Sequence, residues 1–183
     1  MKIQPKEVNR AYSELIDEVL THGETVYTRN STTKRSFDLS VKFTSTPLVS
    51  LRKTPWKTAL REWEWFMSGS SNIKDLHPSV QKWWEPWADK FTGEVYSNYS
   101  AQFRDFCGEH RYPCYDYQDR YFTFDQIMGV IGGIRNHPFS RRNVITTWNS
   151  AEMDDHKTPI TNCHHTLTQF FVDTQERLHM KTY

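Results

Sequence analysis

Two alternating segments at the end of the chain, TLTQFFV (166–172) and RLHMKTY (177–183), constrain the fold more than any other feature. Successive side chains on a strand point to opposite faces, so mixed apolar and polar runs at period two make one dry face and one wet one. The intervening Asp173-Thr-Gln-Glu176 is too short for a crossover and long enough for a turn. An antiparallel hairpin is therefore predicted. Such a hairpin is barely stable in water by itself, so its dry face needs cover.

Helical patterns elsewhere can supply it. Pro5 precedes a stripe of Val8, Ala11, Leu15, Ile16, Val19 and Leu20 that stops at Gly23. Thr54-Pro55 is an N-cap followed by a first-turn proline. It opens a helix through WKTALREWEWF that ends near Gly69, with Leu60, Trp63, Phe66 and Met67 on its inner face. Thr123-Phe-Asp-Gln126 has the form of a capping box, and Ile127, Met128, Val130, Ile131 and Ile134 follow at helical spacing. NVITTWN (143–149) reads as a strand, residues 36–51 as one or two more, and 105–122 as an irregular surface excursion. Helices packed on a mostly antiparallel or mixed sheet give an α+β or α/β class protein.

At 183 residues the chain accommodates one domain, 1–183, with a real core. The last strand still alternates at Tyr183, which leads us to expect a domain incomplete at its C-terminus, truncated within the sheet, and inactive by itself. The formal net charge of +1 gives no electrostatic basis for dedicated nucleic-acid or membrane-surface binding. No apolar run approaches the roughly 18 residues of a spanning helix. Three cysteines and no basic-then-apolar leader point to a reducing cytoplasm rather than a disulfide framework. Tryptophans crowd the stretch from Trp56 to Trp87, as either a stacking surface or an aromatic core.

The chemistry centres on TNCHHTLTQ (161–169), where Cys163 has three readings. It is a buried structural thiol; or, with Cys107, His110, Cys114 and His164 or His165, a metal ligand at a spacing uncommon for zinc; or a nucleophile. A nucleophilic thiolate needs positive charge nearby to lower its pKa and a rigid strand to aim it. Ser140-Arg141-Arg142, at the start of the neighbouring strand segment, supplies the charge, and paired guanidinium forks suit phosphate oxygens.

Several blocks, in order, resemble the thymidylate synthase / pyrimidine hydroxymethylase family. They are REWEWFMSGSSNIKDL (61–76), WWEPWADKFTG (83–93), SNYSAQFRDF (97–106), FDQI, PFSRRNVITTWN and NCHH…QFFV, and together they cover almost the whole chain. The resemblance implies that fold and a folate-dependent one-carbon transfer to carbon 5 of a pyrimidine deoxynucleotide, with 5,10-methylenetetrahydrofolate as co-substrate. It also implies roles. Cys163 matches the nucleophile that attacks carbon 6. Glu62 matches the acid that organises proton transfers, with Glu64 a solvated neighbour of the same type. Tyr99 matches the tyrosine near the carbon 5 proton, and His164 the histidine behind the nucleophile. Arg141 and Arg142 match a pair that crosses from the partner subunit of a homodimer to the nucleotide phosphate. Arg29 matches a further phosphate arginine, although its loop lacks the family's glycines. Trp84 and Trp87 match the aromatics that flank the folate. The spacing from Trp148-Asn149 to Cys163 is longer than usual for the family, and 105–122 has no clear counterpart. Methyl and hydroxymethyl products, and uracil and cytosine substrates, stay open, with dUMP the commoner. A catalytically inactive relative that acts as a binding module and a zinc-binding domain are the other classes considered.

Overall fold

The computed structural model describes residues 5–27, 31–44, 51, 53–95, 98–106, 114–115, 121–149 and 165–183. The chain divides into two compact units, Met1–Pro55 and Trp56–Tyr183.

In the first unit, helix α1 (Pro5–His22) is followed by an antiparallel pair, β1 (Glu24–Tyr27) and β2 (Thr32–Arg35). Helix α1 ends at Gly23, whose amide makes a last bond to the Val19 carbonyl at 3.0 Å and where a Cβ would meet that oxygen at 2.2 Å, so glycine suits the position. Glu24 and Arg35 face each other across the pair and form an ion pair at 3.5 Å. The strands expected within 36–51 do not appear in the described part: 36–44 carries no strand, and the hairpin lies just before it. Val26 on one face and Tyr27 on the other stand among polar residues, and almost all are exposed, so no alternation marks them.

The second unit holds helices α2 (Trp56–Ser68), α3 (Pro78–Trp84), α4 (Tyr99–Arg104) and α5 (Gln126–Asn136). Strands β5 (Val144–Thr146), β6 (Leu167–Val172) and β7 (Leu178–Thr182) form an antiparallel sheet in that order. A two-residue pair, β3 (Cys114–Tyr115) with β4 (Tyr121–Phe122), gives 105–122 more regularity than expected. Every ladder among the described residues is antiparallel, and the class is α+β.

Helix α2 starts where Thr54-Pro55 predicts and ends before Gly69, whose φ of +84° is a conformation other residues adopt at a cost. Its inner face differs from the expectation. Trp65 is the buried residue at 2% exposure, whereas Leu60 and Trp63 are each 50% exposed. Trp65 leads one core cluster with Leu76, Val80, Trp84 and Val95. Tyr99, Phe103, Val130 and Ile145 make a second, and Phe66 packs against both. Helix α4 is buried from its cap Asn98 through Phe103, and Ser100 Oγ donates to the Trp65 carbonyl at 3.1 Å.

Helix α5 is capped by Asp125, whose Oδ1 accepts from the Met128 amide at 2.9 Å, and not by Thr123. Thr123 is used elsewhere, donating to Asp105 Oδ1 and the Phe106 carbonyl. The first α5 residue, Gln126, donates to the Gln102 and Thr146 carbonyls, each at 2.6 Å, and accepts from the Thr146 amide at 2.9 Å. One buried amide thus ties α4, α5 and β5. The β6–β7 turn is closed by Asp173, which accepts from the Gln175 and Arg177 amides and from the Arg177 and His179 side chains.

The two tryptophans of α2 give a direct check on this packing. Trp65→Ala should cost about 3 to 5 kcal/mol of unfolding free energy in urea titrations, as for deletion of a large core aromatic. Trp63→Ala should cost about 1 kcal/mol, in line with its single edge contact on Phe103.

Candidate active site

Glu62 lies on α2 one turn before Phe66, and its side chain is half-buried while that of Glu64 is exposed. Its Oε1 accepts the indole N–H of Trp84 at 2.6 Å. Trp84, at the end of α3, is 8% exposed and sits edge-on to Trp65 and Phe66 at centroid distances of 5.2 and 5.8 Å. Trp87, three residues on in a 3₁₀ turn, is 37% exposed.

From Phe66 the ring contacts continue. Tyr99 lies 5.1 Å from Phe66, Phe103 lies 6.2 Å from Tyr99, and the imidazole of His165 stands edge-on to Phe103 at 5.6 Å. Three helices and the entry to β6 are thereby connected through touching rings, with Glu62 at one end and His165 at the other. Tyr99 is buried at the first position of α4, next to the cap residue Asn98, whose Oδ1 accepts from Ala101 N at 3.0 Å.

His165 is the residue that sequence reasoning undervalued. Its Nε2 lies 2.6 Å from Thr168 Oγ1, its Nδ1 3.2 Å from Thr147 Oγ1, and Thr168 Oγ1 lies 2.9 Å from Thr182 Oγ1. The Thr147 hydroxyl also donates to the His165 carbonyl, so threonine hydroxyls flank both ring nitrogens. Burial holds this imidazole below its ordinary value of 6.5, in keeping with a neutral ring. The alternating polar residues Thr166 and Thr168 were the available sequence signal.

Arg141 and Arg142 lie in the turn between α5 and β5, and both side chains are exposed. Gln169 Nε2 donates to the Arg141 carbonyl at 3.3 Å, and Ser140 Oγ accepts from the Arg142 amide at 3.1 Å. Arg142 lines a groove of about 760 Å³ with Gly133, His137, Phe139, Ser140 and Asn143. Cys163, His164 and Arg29 lie outside the described residues, as do Cys107 and His110 of the alternative metal reading. No helix among the described residues is long and apolar enough to cross a membrane.

The sequence matches the family model described as thymidylate synthase over residues 10–183. The chain belongs to the thymidylate synthase family. That membership carries transferase chemistry of the general kind, one-carbon transfer to carbon 5 of a pyrimidine nucleotide with methylenetetrahydrofolate as the family's co-substrate. Within this thymidylate synthase domain, Glu62 and Tyr99 are both seated against the aromatic core.

The depressed His165 pKa has a sign that can be measured. The unfolded chain binds a proton near pH 6.5 and the folded chain binds it only at lower pH, so unfolding takes up protons in that window. This contribution to stability is fully present above pH 6.5 and is lost as pH falls through it. Urea midpoints at pH 7.5 and 5.5 should therefore differ more for the native protein than for His165→Asn.

Proposed function

We propose that this protein transfers a one-carbon unit from methylenetetrahydrofolate to carbon 5 of dUMP, as a cytoplasmic homodimer, with Cys163 as the nucleophile. What supports the reading is the series of ring contacts from the Glu62 carboxylate through Phe66, Tyr99 and Phe103 to His165, two residues after Cys163 in the chain. A carboxylate, a tyrosine and a thiol are the groups that activation of an unreactive pyrimidine ring needs. The thiolate adds to carbon 6 and makes carbon 5 nucleophilic, which splits one difficult substitution into accessible steps. Glu62 relays protons to and from the ring, Tyr99 serves the carbon 5 proton, and His164 joins the hydrogen-bond network behind the sulfur.

Arg29, Arg141 and Arg142 hold the nucleotide phosphate in this reading, the last two across a symmetric dimer interface. The exposure of Arg141 and Arg142 suits groups that act on a ligand rather than on their own fold. The folate supplies the carbon and its oxidation level. Trp87 offers the more open indole for it, while Trp84 is almost wholly buried with its N–H committed to Glu62. Hydride from the tetrahydrofolate would convert the pyrimidine's exocyclic methylene to a methyl group and leave dihydrofolate, whereas water would give a hydroxymethyl product.

The decisive experiment combines 5-fluoro-dUMP and methylenetetrahydrofolate with the complete protein that carries this domain. A covalent adduct visible by mass spectrometry is expected, and Cys163→Ser should abolish it; failure of the native protein to form it under conditions in which it binds the nucleotide would sink the reading. With dUMP, Glu62→Gln should lower kcat by on the order of 10²-fold, as for loss of a positioned proton-transfer group. The mass of the product's carbon 5 substituent then distinguishes methyl from hydroxymethyl.

A further inference from the structure

Resemblance gives Glu62 and Trp84 separate tasks, one as an acid and one as a wall for the folate. The structure joins them. The Trp84 Nε1–H donates to Glu62 Oε1 at 2.6 Å, a short bond of the kind made to a charged acceptor. Indole nitrogen carries one donor and no acceptor, so the direction of this bond is fixed. An oxygen that already accepts this bond is the poorer site for a second proton, so a proton that Glu62 takes up or releases is better placed on Oε2.

Neither partner is free to swing away. The Trp84 ring is 8% exposed and packed in the cluster of Trp65, Leu76, Val80 and Val95, edge-on to Trp65 and Phe66. Trp65 is itself anchored by its indole N–H to the Asn72 carbonyl at 3.2 Å. Phe66 stands one helical turn after Glu62, so α2 provides both the accepting carboxylate and a ring that holds the donor in place. A carboxylate on an otherwise solvated helix surface would sample several rotamers, as the exposed Glu64 is able to do.

We propose that Trp84 is a positioning residue that acts through Glu62, pinning Oε1 and so reserving Oε2 as the oxygen that exchanges protons with the substrate. The role uses the edge of the indole, not its stacking face, and it rests on the reading of Glu62 as the proton-transfer group.

Trp84→Phe keeps an aromatic ring and removes the donor. We expect kcat to fall on the order of ten- to a hundred-fold with KM nearly unchanged, the mark of an interaction that matters to the chemical step and not to ground-state binding. The double variant with Glu62→Gln should be no slower than Glu62→Gln alone, because both changes break the same unit. An independent readout comes from ¹⁵N-labelled protein, where the Trp84 indole proton should resonate downfield and move upfield in Glu62→Gln. Losses that multiply in the double variant, or an indole signal unmoved by Glu62→Gln, overturn the proposal. Full kcat in Trp84→Phe beside a slow Glu62→Gln overturns it alone, leaving the role of Glu62 intact. Full kcat in both overturns the reading of Glu62 as well. Should Trp84→Phe fail to fold, the indole signal of the native and Glu62→Gln proteins still decides.

Discussion

Phe66 is the ring on which the larger unit depends. It packs against both buried clusters, touching Trp65 and Trp84 on one side and Tyr99 on the other. Neither cluster is large by itself, and each of these aromatic groups contributes on the order of 2 kcal/mol or more by leaving water. Their fusion through one side chain makes a single apolar mass out of two. It also explains why the short helix α4 can be buried from its cap to Phe103. A segment with that much backbone inside needs its polar groups answered, and the Asn98 cap and the Ser100 hydroxyl do part of that work.

The same arrangement sets the character of the candidate site. Among the described residues, Glu62, Tyr99 and His165 are each seated against aromatic rings. Groups held this way reorganise little, and electrostatic interactions between them are weakly screened. His165 shows the consequence, a ring kept neutral by burial and oriented by threonine hydroxyls on either side. The arginines behave oppositely. Arg141 and Arg142 stand in solvent at a turn, where guanidinium groups stay fully hydrated until an anion arrives.

Much of this was legible in the sequence wherever a pattern had one meaning. The β6–β7 hairpin and its turn, helix α1 with its stop at Gly23, and the start of α2 after Thr54-Pro55 all follow from local rules. The β1–β2 pair did not, because strands with two wet faces carry no period-two signal. The inner face of α2 was misread because Leu60, Trp63, Phe66 and Met67 share one apolar stripe while Trp65 stands among the polar residues opposite; packing against Leu76, Val80 and Trp84 buries Trp65 all the same. Thr123 and Asp125 are both good caps two residues apart, and the choice between them was made by Thr123's partners across the fold. For the site, resemblance could name Glu62 over Glu64. Only packing gives the physical difference, a half-buried carboxylate with an indole donor against one in water.

The amide of Gln126 does more than join three elements. By accepting from the Thr146 N–H and donating to its C=O, it imitates the pair of bonds that a neighbouring strand would make, on the side of β5 away from β6. An uncovered edge is a template on which another chain's strand can grow. Here one side chain occupies the outward-facing groups of Thr146, the last residue of β5, so the strand's edge is closed at that end by an amide rather than by another strand.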